Sequence, residues 1–237
     1  MPAAAPLLQI QALCQPAREA HAPESPRAGF DDVSFSIQPG EHVALLGARG
    51  AGKTALVRAV ALIQKPEAGH VFFEGQEVTV FSGGRLRALR QRLQFVGGDP
   101  MYSLPPHATV REALLEPLEI HRLGSKPEQA ARVEVTAARL ELNPLLLDRK
   151  VSLLSAALRQ RVAVARALTL QPRLLVCDEL TERLEPAAAR SLLELASRAG
   201  RLINLGWLWT TSDPVLAHAF ADRILYLQQG RLVAEPV

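Results

Sequence analysis

The stretch Gly47-Ala48-Arg49-Gly50-Ala51-Gly52-Lys53-Thr54 fits G-x-x-x-x-G-K-[ST] without substitution, and it constrains this chain more than any other feature. Just before it, His42-Val43-Ala44-Leu45-Leu46 is a short apolar run suited to a buried parallel strand; just after, Ala55 to Ile63 carries apolar residues at helical spacing. Strand, glycine-rich loop and helix in that order are the context a phosphate cradle requires. Glycines let backbone N–H groups approach phosphate oxygens, and the helix N-terminus adds about half a positive charge. In such a cradle Lys53 would reach the β and γ phosphates and the Thr54 hydroxyl would hold Mg²⁺. The bland alternative is a glycine-rich turn carrying an incidental lysine.

A second stretch supplies what the loop lacks. Arg173-Leu174-Leu175-Val176-Cys177 reads as another buried parallel strand, and it ends in Asp178-Glu179. Alone, that acidic pair is as consistent with a surface turn as with chemistry. Downstream of an intact phosphate loop it reads as a site, with Asp178 binding Mg²⁺ mostly through water and Glu179 polarising an attacking water.

The rest of the composition sets bounds. With 237 residues, 48% hydrophobic and 22% charged, the chain can bury a real core, and one elaborated domain over residues 1–237 is expected. No run approaches the roughly 18 apolar residues of a membrane span, and no secretory leader pattern opens the chain, so a cytoplasmic location is expected. The formal charge of +3 and the pI near 9.2 raise the question of nucleic acid. The arginines, however, are spread among glutamates along helical stretches, which favours solvated helix faces and no nucleic-acid partner. Cys14 and Cys177 fit no metal spacing and read as small core residues without a disulfide.

Along the chain, Leu7 to Cys14 reads as an opening strand and Gln15 to Gly29 as a Pro- and Ala-rich loop, after a loose start over residues 1–6. Val33 to Ile37 alternates apolar and polar, and Gln38-Pro39-Gly40-Glu41 is expected to turn it as a hairpin into the phosphate-loop strand. Gln64 to Gly69 reads as a turn, Val71 to Val78 as two short strands about Gly75, Arg85 to Arg92 as a basic helix and Gln94 to Val96 as a brief strand. Between residues 99 and 155 a helical insertion is expected: Thr109 caps a helix from Val110 to about Arg122, and Pro127, at a first helical position, opens another to about Leu142. Ser155 begins a helix through Leu168. Beyond the carboxylates come helix Pro186 to Ala199, strand Ile203 to Trp209, helix Pro214 to Phe220 and a closing hairpin about Gly230.

This order of motifs resembles the ATP-binding cassette (ABC) family, and in particular the ATPase subunits of oligopeptide, dipeptide and nickel importers. The resemblance runs from Phe30 to about Glu235. Asp99-Pro100-Met101-Tyr102-Ser103-Leu104-Pro105-Pro106 is similar to the D-P-x-x-S-L-N-P of that subfamily, as are Thr109-Val110-Arg111-Glu112, Glu116-Pro117-Leu118, Gln160 to Leu168 and Pro172 to Glu179. It implies an α/β P-loop NTPase fold with an ABC-type core sheet, an N-terminal antiparallel β subdomain and an inserted α-helical subdomain. It also implies Mg-ATP bound by Gly47 through Ala55, with Thr54 and Asp178 on the metal and Glu179 catalytic. The implied partners are a second cassette, paired head to tail, and membrane permease subunits, which would hold this chain on the inner face of the cell membrane. Residues from Met101 to His107 and the helix after Thr109 would dock a permease; the alternative reading of Met101, Tyr102 and Leu104 is plain core.

The departures from that pattern fall on functional positions. Gly98 stands where the family has a glutamine, Leu154-Ser155-Ala156-Ala157-Leu158 replaces L-S-G-G-Q, and Ser212 stands where a histidine is usual. Glu182-Arg183-Leu184-Glu185 replaces S-A-L-D, Ala55 lacks the hydroxyl usual after the lysine, and no aromatic clearly occupies the N-terminal position that stacks on adenine, since Gln15 to Gly29 contains only His21 as a ring side chain. Methyl groups on Ala156 and Ala157 crowd the approach of signature amides to a γ phosphate, and losing an orienting or acid–base group lowers rates by about 10² to 10⁴. Lys53, Thr54, the loop amides and Asp178, which supply most of the phosphate and Mg²⁺ contacts, are all present. The expectation is therefore Mg-ATP binding with weak or partner-dependent hydrolysis, within a heterodimer rather than a homodimer with two altered sites. A non-transporting, nucleotide-sensing protein on the same fold is the alternative. The chain ends at Val237 without the longer C-terminal extension common in that subfamily, so no regulatory role is expected there.

Overall fold

The computed structural model describes residues 5–17, 29–100 and 103–235. Among the described residues, two sheets and seven α-helices form an α/β fold. The smaller sheet is antiparallel and runs in the order β2 (Phe30–Ile37), β1 (Leu8–Gln15), β4 (Ala68–Phe73), β5 (Gln76–Glu77). The larger has the order β10 (Arg231–Val233), β9 (Arg223–Gln228), β3 (His42–Leu46), β8 (Gly206–Thr211), β7 (Leu174–Cys177), β6 (Leu93–Val96). Its strands from β9 to β6 are parallel, and only β10 returns antiparallel.

The continuous apolar runs of β7 and β8 follow from burial on both faces of a parallel sheet, where every residue of both strands is buried. Alternate residues then feed two cores. Val43, Leu45, Val176 and Leu208 face Leu56, Val57 and Val60 of α1 (Lys53–Val60), together with Leu8, Ile10, Val33 and Phe73 of the antiparallel sheet. Ala44, Leu175, Cys177, Trp207 and Trp209 face the opposite core, with α5 (Ala156–Leu168) and α6 (Pro186–Arg201). Cys177 is a buried free thiol that accepts from Trp207 Nε1 at 3.3 Å, and burial pushes its pKa up to about 12. Cys14, half-buried, accepts from the Asp32 backbone instead, at 3.2 Å.

Between β6 and α5 the chain makes α3 (Val110–Ile120) and α4 (Lys126–Arg139), which pack on α5 through Val110, Leu114, Leu118, Val133 and Ala137. Thr109 caps α3 as expected, within a full capping box with Glu112. α4 differs by one turn position: Ser125 is its cap, boxed with Glu128, so Pro127 occupies the second helical position rather than the first. Several arginines sit in ion pairs with acidic neighbours, as in Arg111 with Glu134 and Asp148, and Arg198 with Glu141.

Two expectations need correction. β2 and β3 do not form a hairpin; the turn at residues 38–41 carries the chain from the antiparallel sheet into the parallel one, where β3 pairs with β8 and β9. The strand expected from Ile203 begins at Gly206, because residues 202–205 still close the end of α6 through bonds to Arg198, Gly200 and Arg201 carbonyls. The remaining two helices are α2 (Gly83–Arg92) and α7 (Pro214–Phe220).

Candidate functional site

The topology places the phosphate loop at the C-terminal end of β3 and Asp178-Glu179 at the C-terminal end of β7, with β8 between them. Open parallel sheets bind ligands beyond these strand ends. Gly52 caps α1 at φ 101°, a left-handed conformation, and a Cβ there would meet the Gly29 carbonyl oxygen at 2.5 Å. Ala48, Arg49 and Gly50 are exposed, so the loop opens to solvent, whereas Lys53 is only 3% exposed. The Lys53 ammonium folds back onto the loop, donating to the Gly47 carbonyl at 2.7 Å and the Ala48 carbonyl at 3.0 Å. Burial lowers its pKa, opposed by the negative charges of Glu182, Glu179 and Asp178. Ala51 is buried, and Ala55 is half-buried against the core, with no hydroxyl to offer a ligand.

The loop and the acidic pair meet directly. Thr54 Oγ1 donates to Asp178 Oδ1 at 3.0 Å across 124 residues of sequence. Arg58, one turn further along α1, brings its Nε to 3.7 Å from Asp178 Oδ2. Thr210 completes the arrangement: its hydroxyl donates to Asp178 Oδ1 at 3.3 Å and accepts from the Glu179 N–H at 2.7 Å. Strand register explains it, because the pairing ends with Cys177 and Trp209, and Asp178 and Thr210 each follow by one residue. Burial raises the Asp178 carboxyl above the ordinary carboxylate range. Burial likewise raises Glu179, helped by the charges of Glu182 and Asp178. Glu179 itself stands at φ 53°, a left-handed backbone in a non-glycine residue of the kind that gathers at functional sites.

A cavity of about 390 Å³ opens against this arrangement, lined by Thr54, Asp178, Glu179, Glu182 and Gly98 among others. A hydroxyl and a carboxylate side by side are hard oxygen donors, which suits Mg²⁺ completed by water and phosphate oxygens. Among the described residues no three His, Cys, Asp or Glu side chains converge to hold a metal by themselves. A metal here would depend on ligands brought by a phosphate.

Of the altered positions, Gly98, Glu182 and Arg183 line this cavity, while Ser155, Ala156, Ala157 and Ser212 are not among its lining residues. Gly98 packs on the acidic pair: a Cβ there would meet Glu179 Cβ and the Glu179 carbonyl oxygen, both at 3.0 Å, and the Asp178 carbonyl oxygen at 3.1 Å. Ser155 is the cap of α5, its hydroxyl accepting from the Leu158 N–H at 3.4 Å, with Ser155 and Ala156 exposed and Ala157 half-buried. Ser212 is exposed just after β8 and shares an open cleft of about 1120 Å³ with Gly47 to Ala51. Met101, Tyr102 and His21 lie outside the described residues, while Leu104 is buried at 3% exposure.

Sequence reasoning left out Thr210 and Arg58, which touch the carboxylates as just described, and it named Glu182 and Arg183 without their partners: Glu182 Oε2 accepts from Arg49 Nη2 at 3.3 Å, and Arg183 Nη1 donates to Asp99 Oδ2 at 2.7 Å. Arg58 was within reach of the sequence, being four residues after Thr54 on one helix face; the others depend on strand register and loop placement.

Residues 30–182, more than half of the chain, match the ABC transporter family, and the chain belongs to that family. Among its relatives is the putative peptide import ATP-binding protein of Brucella ovis, 34% identical over 204 residues, a match spanning 86% of this chain and 64% of the relative. Glutathione import ATP-binding protein GsiA of Escherichia coli is 32% identical over 216 residues, covering 91% of this chain and 34% of GsiA. The fold is that of cbiO1 from Clostridium perfringens, part of the cbiONQ transporter complex, with a TM-score of 0.83 at 23% identity over 97% of this chain and 87% of that one. The cassette MJ0796, in a dimeric post-hydrolysis state with ADP and phosphate, also superposes at 0.83, at 24% identity over 96% of this chain and 97% of that one. The chain thus spans about two thirds or less of the length of the curated relatives it matches.

Proposed function

We propose that this chain binds Mg-ATP at the phosphate loop and is the energy-coupling ATPase subunit of a peptide-class ABC importer, with hydrolysis that is weak or depends on a partner. The observation that carries the reading is the 3.0 Å bond from Thr54 to Asp178, which unites a phosphate cradle and a metal-suited carboxylate from distant parts of the sequence. Gly47 through Ala55 form the cradle, Lys53 leaves its carbonyl partners for the β and γ phosphates, and Thr54 and Asp178 hold the metal. Glu179, its pKa raised by burial, is the candidate base for the attacking water.

Residues 1–237 act as one nucleotide-binding domain, with residues 99–155 its helical insertion. Ser155, Ala156 and Ala157 present an exposed, methyl-bearing helix start where the family brings signature glycines to a partner's ATP. A homodimer would place that surface in both sites, so a second cassette of fuller sequence is the favoured partner, with permease subunits docked near the insertion. Among the described residues no helix is long and apolar enough to cross a membrane, which fits a peripheral position on the inner face. The import role named for the Brucella and Escherichia coli relatives supports transport over the nucleotide-sensing alternative.

Isothermal titration with Mg-ATP tests the reading: wild type binds, and Lys53→Ala binds far more weakly. Equal binding by both proteins would refute the site. Co-purification of permease subunits supports the importer role; purely soluble partners would refute it.

A further inference from the structure

Helix α2 is basic with no acidic residue of its own. Between Glu77 and Asp99 the sequence holds four arginines and neither Asp nor Glu, against a net charge of +3 for the whole chain. Arg85, Arg87, Arg90 and Arg92 are all exposed. Arg92 pairs with Glu74 and lies over the Phe73 ring, and Arg87 Nη2 donates to the Ile120 carbonyl at 2.9 Å, which ties α2 to the end of α3. Among the described residues Arg85 and Arg90 take part in no ion pair.

The apolar side of the helix fixes which way the arginines face. Leu89 is buried, and Leu86 and Phe81 pack against the same core. At about 3.6 residues per turn, Gly84, Ala88 and Gln91 fall at i, i+4 and i+7 on the line opposite Leu86 and Leu89, with Arg87 and Arg90 on one flank and Arg85 and Arg92 on the other. That outward line carries no charge, and its first two members have the smallest side chains. The helix can therefore lie close to a flat surface while guanidinium groups reach it from both flanks. Val80, just before α2, is 72% exposed, and Ile120, whose carbonyl Arg87 holds, is 46% exposed.

We propose that α2 lies on anionic lipid headgroups of the membrane, beside the permease; this rests on reading the chain as an importer subunit. Guanidinium groups match headgroup phosphates in charge and in bidentate geometry, and exposed apolar side chains among them suit the boundary between headgroups and acyl chains. Duplex nucleic acid offers the same charge but nothing for Val80 and Ile120. The placement agrees with the proposed permease contact, because β6 leads from α2 straight to Asp99, where the helical insertion begins. Each arginine at an anionic surface strengthens binding about fivefold, so the helix would hold the subunit to the lipid directly rather than through the permease alone.

The test is co-sedimentation of the purified full chain with vesicles of phosphatidylcholine, alone or mixed with phosphatidylglycerol. Wild type should bind the mixed vesicles, less well as salt is raised, and not the neutral ones. Arg85→Gln with Arg90→Gln, which breaks no ion pair, should weaken binding about 25-fold. Arg149→Gln with Lys150→Gln removes the same charge at the opposite end of α3, where the Val110 N–H meets the Arg149 carbonyl, and should bind as wild type does. No binding to mixed vesicles, an unaffected α2 variant or an equal loss in the Arg149 and Lys150 variant overturns the proposal. So does a short DNA duplex that displaces the vesicles and is itself lost on the α2 substitutions. Permease subunits that co-purify with a chain unable to bind vesicles overturn this inference alone; vesicle binding with purely soluble partners overturns the importer reading instead.

Discussion

The two sides of the candidate site are built by different means. On the phosphate side, Lys53 and Asp178 are buried, Thr54 is half-buried, and the groups are joined by short hydrogen bonds to one another, to Thr210 and to loop carbonyls. On the exposed side, Ser155, Ala156 and Ser212 are open to solvent, and the exposed guanidinium groups of Arg49 and Arg183 pair with the less exposed carboxylates of Glu182 and Asp99. Every departure from the family pattern except Ala55 falls on that second side or on the connections between the sides. A buried, mutually bonded group cannot be exchanged without leaving a partner unsatisfied, whereas an exposed one can. On the function proposed above, Mg-ATP binding rests on the buried groups of the interior, and the positions that depart from the family pattern are those proposed for pairing and cleavage.

Breaking the buried side should have the largest effect. Lys53→Ala removes charge-assisted bonds to phosphate, each worth about 1.5–3 kcal/mol, so titration should show a loss of Mg-ATP affinity of about 10- to 100-fold. Next is Gly98→Gln, which puts back the side chain the family carries. Overpacking against the Glu179 backbone should destabilise the protein by about 1–3 kcal/mol in thermal melts, without raising the hydrolysis rate. A stable, faster Gly98→Gln protein would show that the two sides are not adapted to each other.

Asp178→Asn separates binding from stability. The folded pKa values of Asp178 and Glu179 are raised by burial, so their neutral forms stabilise the fold at low pH, and this contribution is lost as pH rises through the raised values. The nucleotide-free protein should accordingly melt lower at pH 7 than this pair would allow if neutral. Asp178→Asn should melt higher at pH 7, by about 2–4 °C for each kcal/mol relieved, with a flatter pH profile and weakened Mg-ATP binding. The smallest change is Ala156→Gly with Ala157→Gly on the exposed side. It should lower stability by no more than about 1 kcal/mol per site while increasing self-association in Mg-ATP, read by analytical ultracentrifugation. No gain in association would mean that the methyl groups do not obstruct pairing.

How much of this was legible in the sequence follows the same division. The phosphate loop, its strand and its helix could be placed from local pattern alone, because periodicity and glycine spacing are local properties. So could β7 and the carboxylates, and the helix cap at Thr109. Which sheet a strand joins is not local, and so the alternation of residues 33–37 suggested a hairpin with β3 where the chain instead changes sheets. Thr210 touches both acidic residues only because β7 and β8 are neighbours in a particular register, and Arg49 meets Glu182 across 133 residues. Nothing in the local sequence around either residue points to its partner.

The contrast between a preserved binding side and an altered cleaving side reduces to one ratio: how much of the ATP held by the protein is still ATP. Purified chain is loaded with Mg-ATP labelled on the γ phosphate, freed of unbound nucleotide and quenched at intervals, and the bound label is resolved into ATP and phosphate. The expected result is retained, intact ATP over many minutes in wild type, and no retained nucleotide in Lys53→Ala. Rapid conversion to phosphate that is abolished by Glu179→Gln, or no retention by wild type at all, would contradict it.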